Sequence, residues 1–276
     1  MRIYSNAYEL MSETGRNLTE MGHIVKPKTY QNKNIQGIDE FQTKEIICEQ
    51  YCLTAIHDPE WLFIYTKAKE WADKEFEERA SGVVINPGKA WKLSKDMWEQ
   101  FLVQYLDEDP HFDYTYPERI NHHVTYRGRI MTKLEAIIEL LKNDHDTRKA
   151  VLNIFGEQPY NTSNGPGNTC YCDSNSYDGS ARIPCSMYYD FLIRDNAKGE
   201  KVLHICYHQR SSDFIGHFGD DVYLAWKLME YVAGMVNIKP GYLYHTIDSL
   251  HAYKKDWWML KTSIDTQFCK TLKYVQ

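Results

Sequence analysis

Pro184-Cys185 opens an apolar run, Ile183 to Ile193, and Gln209-Arg210-Ser211-Ser212-Asp213 closes the next, Lys201 to Tyr207. The polar segment Arg194 to Gly199 between them reads as a turn, so the two runs are expected to pair as strands. That pairing would set a thiol beside a guanidinium, a hydroxyl and a carboxylate. A buried cysteine taken alone is most often a small hydrophobe. Arginine and serine together suit a phosphate monoester, and a guanidinium's field lowers the pKa of a neighbouring thiol. The cluster therefore points to a nucleophile next to an anion site.

These residues need a scaffold. The chain has 276 residues, 43% hydrophobic and 25% charged, which is ample for a packed core and excludes disorder as the main state. With 32 basic against 38 acidic side chains the net charge is -6, and a polyanionic ligand has no electrostatic support. There is no apolar run long enough to span a bilayer, and Met-Arg-Ile-Tyr-Ser-Asn lacks the core of a signal peptide. Seven cysteines at irregular spacing fit a reducing compartment, so a soluble cytoplasmic protein is expected.

Asp39 to Arg79 reads as helical through Ile46, Ile47, Tyr51, Leu53, Trp61, Leu62 and Trp71, with Pro59 starting a second helix. Ala80 to Lys92 reads as a loop, Lys95 to Leu106 as a short helix, and Asp107 to Asn121 as non-helical. Leu134, Ile137, Ile138 and Leu141 define an amphipathic helix, and Lys149 to Phe155 turns toward strand. Gly156 to Ser180, rich in Asn, Ser and Gly, is expected to be a surface insertion within one domain spanning residues 1–276. Asp221 to Val236 is helical, closed by Pro240-Gly241 before a strand, Tyr242 to Ile247. The pattern is α+β, with helices packed on a sheet.

In order and approximate spacing, Pro184-Cys185, Gln209-Arg210-Ser211-x-Asp213 and His251-x-Tyr253 resemble the nucleophile, phosphate and ribose motifs of the thymidylate synthases and the related pyrimidine-nucleotide hydroxymethylases. Leu141 to Arg148 is similar to the segment that sends basic residues across that family's dimer interface, and Glu45-Ile46-Ile47-Cys48-Glu49 to the helix bearing its catalytic glutamate. The resemblance implies a thymidylate synthase fold with a large mixed sheet, a homodimer, and 5,10-methylenetetrahydrofolate as co-substrate, without a metal. It implies Cys185 as nucleophile adding to carbon 6 of a pyrimidine, Glu49 as organiser of proton transfers, and Asp213 against the pterin. Arg210, Ser211 and Gln209, with Arg148 from the second subunit, would hold the nucleotide, and His251 and Tyr253 its sugar. Tyr116 matches an active-site tyrosine. Lys149 replaces a second arginine of many relatives, and Arg16 and Lys28 both remain open for the family's N-terminal phosphate contact.

One position divides the family's branches. Synthases acting on uridylate carry an asparagine eight residues after the aspartate of the Arg-Ser-x-Asp motif; the same count from Asp213 gives Asp221. A carboxylate accepts from cytosine's amine and repels uracil's carbonyl. Asp221 to Trp226 and Ser249 to Tyr253 also look more like the phage deoxycytidylate (dCMP) hydroxymethylases, enzymes of a DNA-modification pathway. The expectation is hydroxymethylation of dCMP. Open alternatives are CMP as substrate, a methylating enzyme that returns hydride, and a silent nucleotide-binding regulator. Asp220 leaves room for a one-residue slip. Cys170-x-Cys172 with His122-His123 matches no paired zinc framework, and Trp257-Trp258 reads as packing rather than as a folate platform.

Overall fold

The computed structural model describes residues 1–31, 33–103, 109–156 and 182–260. Strand β1 (Arg2–Tyr4) leads into helix α1 (Ala7–Met21), followed by the short strands β2 (His23–Val25), β3 (Thr29–Tyr30) and β4 (Lys33–Asn34), then β5 (Thr43–Leu53). Helices α2 (Lys69–Arg79), α3 (Lys95–Trp98) and α4 (Tyr116–Ile120) come next, then the hairpin β6 (His123–Tyr126) and β7 (Arg129–Thr132) and helix α5 (Lys133–Asn143). The chain closes with β8 (Val151–Asn153), β9 (Ser186–Asp195), β10 (Lys201–Gln209), β11 (Ser212–Asp213), α6 (Phe218–Met235), β12 (Lys239–Tyr253) and α7 (Trp257–Leu260).

An 8-stranded mixed sheet runs β1-β5-β12-β10-β9-β8, with β2 on β5 and β11 on β12. Strands β9 and β10 pair antiparallel, as their alternation predicts, while β10 and β12 run parallel, joined through α6. Tyr189, Phe191, Ile193, Leu203, Ile205 and Leu243 point to one face and are buried there under α6, which contributes Phe218, Val222, Ala225 and Met229. The expected α+β arrangement, helices packed on one large mixed sheet, is thus present, and no helix of the described residues is long and apolar enough to cross a membrane.

Four expectations are corrected. Residues 43–53 form a strand, not a helix. Ile46 packs on the core, Ile47 and Cys48 are exposed, and Glu49, Tyr51 and Leu53 are buried. Cys48 takes a positive φ of 57°, and there the strand changes which side chains face inward. The resulting spacing of inward residues imitates a helical period. Pro59 begins a 3₁₀ turn, Pro59–Phe63, and the helix proper starts at Lys69. Within 107–121, Tyr116–Ile120 is helical because Thr115 and Glu118 form a reciprocal capping box. Pro240 and Gly241 lie in the first residues of β12, not ahead of it. The insertion at 156–180 lies outside the described residues apart from Gly156.

Candidate active site

Cys185 precedes β9 by one residue and Arg210 follows β10 by one, so strand pairing sets them side by side. The Arg210 backbone N–H donates to the Cys185 carbonyl (2.9 Å). Its guanidinium Nε donates to the Pro184 carbonyl (2.8 Å) and Nη2 to that of Ile183 (3.0 Å), and Nη2 stands 3.8 Å from Cys185 Sγ. The arginine thereby clamps the peptide that carries the thiol. Burial pushes the thiol pKa up, Arg210 pulls it down, Asp221 adds to the rise and Arg182 opposes it. Cys185 opens on a cavity of about 500 Å³.

One corner of this cavity is built to read a polar ring edge. Gln209 Nε2 (2.8 Å) and Ser212 Oγ (3.2 Å) both donate to Asp221 Oδ2, leaving Oδ1 without a protein partner among the described residues. Burial raises the carboxyl's pKa, and these two donors restrain the rise. Asp220 also lines the cavity and accepts from Thr66 Oγ1 at 2.9 Å. Gly219 fixes this arrangement: a Cβ there would fall 1.8 Å from the Leu62 carbonyl oxygen, so the first turn of α6 rests on that carbonyl.

The opposite wall comes from the pairing of β11 with β12, which registers Asp213 against His251. Asp213 Oδ1 accepts from the Ile215 N–H (3.2 Å), and His251 meets Tyr253 edge-on, with centroids 5.1 Å apart. Tyr116, at the start of α4, accepts from the Ser186 N–H at 3.4 Å under the Arg79 guanidinium, 4.4 Å from its ring centroid. Cys185, Arg210, Ser211, Asp213, Asp221 and Tyr116, with His251 and Tyr253, all line the one cavity.

Other expected residues lie elsewhere. Glu49 is buried on β5, 3.8 Å from Arg2, and does not line the cavity. Gln209 is fully buried behind Asp221 and acts on it rather than on the cavity. Arg148 and Lys149 are exposed beyond α5, away from the Cys185 cavity of their own chain. Arg16 pairs with Glu13, Lys28 is exposed, and neither lines the cavity. Trp257 donates to the Ala252 carbonyl (2.8 Å) and Trp258 is solvent-exposed; neither lines the cavity. No group of potential metal ligands occurs among the described residues; Cys170 and Cys172 lie outside them.

The structure brings forward residues that sequence reasoning missed. Trp71, Glu75 and Arg79 form an i, i+4, i+8 stripe of α2 and all line the cavity. Arg79 Nε donates to Glu75 Oε1 at 2.9 Å, while burial pushes the Glu75 carboxyl pKa up. A carboxyl whose charged form burial disfavours, held by a guanidinium on the cavity wall, is suited to proton transfer. The stripe is visible in the sequence, but only the fold tells which face of α2 meets Cys185. Trp91 and Trp98 add an aromatic wall whose indole N–H groups are buried without partners. Arg182 and His217 complete the lining.

One cavity thus holds a clamped thiol, a guanidinium, a hydroxyl and an oriented carboxylate, a set able to bind an anion beside a nucleophile. The sequence model of the thymidylate synthase family matches residues 87–273, and the chain belongs to that family. It is 30% identical over 176 residues to a "putative thymidylate synthase" of Methanococcoides burtonii, covering 63% of this chain and 68% of that one. A protein of the same description from Methanosarcina mazei is 29% identical over 177 residues, 63% of this chain and 69% of its own. The fold is similar to that of the thermostable thymidylate synthase A of Bacillus subtilis, with a TM-score of 0.66 at 15% identity, covering 95% of this chain and 84% of that one. The chain is accordingly a transferase of the thymidylate synthase type, acting on a pyrimidine nucleotide with a folate one-carbon donor.

Proposed function

We propose that this enzyme transfers a one-carbon unit from 5,10-methylenetetrahydrofolate to carbon 5 of dCMP and captures it with water, giving 5-hydroxymethyl-dCMP. The observation that carries the base choice is Asp221, with both protein donors on Oδ2 and Oδ1 left for the ligand. A carboxylate so placed accepts from cytosine's amine and favours a proton on the adjacent ring nitrogen; toward uracil's carbonyl it is repulsive.

The folate, when bound, supplies the carbon. The unpartnered indole N–H groups of Trp91 and Trp98, and Asp213 on the facing wall, are the residues that fit its ring system. Cys185 Sγ bonds to carbon 6 of the base, which makes carbon 5 nucleophilic, and leaves again once the new carbon is in place. Arg210 holds Cys185 in position and, with Ser211, takes the phosphate. His251 and Tyr253 address the sugar. In this reading the proton transfers expected of Glu49 belong to Glu75, the carboxyl that lines the cavity.

We further propose that two copies pair through the sheet face left uncovered by helices, with Arg148 reaching the partner's site. Asp190, on that outward face of β9, has a buried Oδ1 without a partner among the described residues, and Tyr188 beside it is 37% exposed.

The test is incubation with methylenetetrahydrofolate and, separately, dCMP, CMP and dUMP, resolving products by mass and following dihydrofolate by absorbance. Hydroxymethylated dCMP without dihydrofolate is the expected result. A methylated product with stoichiometric dihydrofolate would show hydride return in place of water capture, and turnover of dUMP alone would overturn the role of Asp221. Cys185→Ala is expected to abolish turnover while nucleotide binding survives; retained turnover would sink the covalent route.

A further inference from the structure

Arg182 stands three residues before Cys185 and lines its cavity. It is 6% exposed, yet its guanidinium makes no ion pair with any carboxylate among the described residues. Nε donates to Gln31 Oε1 at 3.2 Å, and the guanidinium carbon lies 4.3 Å from the Phe101 ring centroid and 5.4 Å from that of Tyr114. The nearby Asp113 carboxylate takes the backbone N–H of Arg182 (2.9 Å), not its side chain. A buried guanidinium without a counter-ion is costly, and ring faces offset only part of that cost.

Arg210, half-buried, likewise has no carboxylate partner among the described residues. Its side-chain hydrogen bonds go to the carbonyls of Ile183 and Pro184, the two residues that link Arg182 to Cys185. Both arginines act on the Cys185 thiol and on the Tyr114 phenol, so both charges converge on one part of the cavity. None of the four carboxylates that also line it pairs with either arginine: Glu75 takes Arg79, Asp220 takes Thr66, Asp221 takes Gln209 and Ser212 on Oδ2, and Asp213 takes the Ile215 N–H. Gln31, which orients Arg182, sits at a positive φ of 54°, a backbone geometry rarely taken without tertiary support. A nucleotide phosphate carries up to two negative charges near neutral pH and matches two planar, bidentate guanidiniums.

We propose that Arg182 is a second guanidinium for the substrate's phosphate, supplied within the chain beside Arg210 and Ser211. This rests on reading the cavity as a nucleotide monophosphate site. The competing role is a strut that only ties the Gln31 segment to the aromatic wall.

The two separate by calorimetry on the full-length enzyme, with dCMP against deoxycytidine and dUMP against deoxyuridine as probes. Arg182→Gln is expected to lower nucleotide affinity by roughly 10- to 100-fold while leaving nucleoside affinity unchanged, for either base. Arg182→Lys keeps the charge but not the fork and should fall between; it carries the test by itself if the glutamine variant does not fold. Equal losses for nucleotide and nucleoside would make Arg182 a strut and overturn the proposal. A wild-type preference for nucleotide that both variants leave intact would overturn it as well. A wild-type enzyme without any such preference would instead overturn the reading of the cavity, and this assignment with it.

Discussion

Gln209 Nε2 donates to Asp221 Oδ2 at 2.8 Å from behind the cavity, so the carboxylate that faces the ligand is oriented by a fully buried amide. Asp221→Asn keeps this support, because the asparagine oxygen accepts from Gln209 and the new N–H₂ turns toward the base. The ratio of kcat/KM for dCMP over dUMP should fall by on the order of 100-fold, measured with both nucleotides in competition. An unchanged ratio would mean that another residue reads the base.

The same carboxyl predicts a pH effect on selectivity. Burial raises the Asp221 pKa, so acidification protonates it earlier than an ordinary aspartate. The protonated form has an O–H to offer uracil's carbonyl. Discrimination against dUMP should therefore shrink as the pH is lowered, whereas the ratio for Asp221→Asn should stay flat. A wild-type ratio that is also flat would mean that the charge of Asp221 does not set the selectivity.

Glu75 and Glu49 make contrasting predictions. Glu75→Gln should reduce kcat by roughly 10²- to 10⁴-fold with little change in nucleotide affinity, the size expected for loss of an acid–base group. Glu49→Gln, remote from the cavity lining, should keep kcat within about threefold. The reverse pattern in single-turnover assays would return the role to Glu49.

Asp220 supplies a stability test. Its carboxyl is buried with Thr66 as hydrogen-bond partner, and burial pushes its pKa well up. An unfolded aspartate releases its proton near about 3.9. The folded state is therefore favoured most below that pH and loses stability as pH rises through the raised folded value. Asp220→Asn retains an acceptor for Thr66 and does not titrate. Its melting temperature should match wild type near pH 4 and exceed it by a few degrees, on the order of 1 kcal/mol, at pH 7. A gain at acid pH instead would contradict the sign of the shift.

Much of the catalytic arm was legible because it is local. Alternation over 186–195 and 201–209 gives the hairpin, and the hairpin alone sets Cys185 beside Arg210. Asp221 followed from counting along the same arm. The strand β5 was illegible because the turnover of faces at Cys48 gives its inward residues a helix-like spacing. Glu49 lies on that strand, outside the lining of the Cys185 cavity. Glu75 and Arg182 were hidden for another reason: Glu75 reaches the Cys185 cavity from α2, and Arg182 is held by Gln31, Phe101 and Tyr114, across long sequence separations that no local period reports. Arg182 in particular is a lone basic residue until the fold buries it.

Gly219, pressed against the Leu62 carbonyl, leaves α6 no freedom to roll. Asp220, about 100° away around the axis, lines the same cavity with its carboxyl on Thr66, while Asp221 is oriented by Gln209 and Ser212. If Asp221 reads the base, preference between cytosine and uracil is confined to the identity of one side chain. Aspartate and asparagine codons differ by a single nucleotide, so a lineage with this scaffold is one point mutation away from the other pyrimidine.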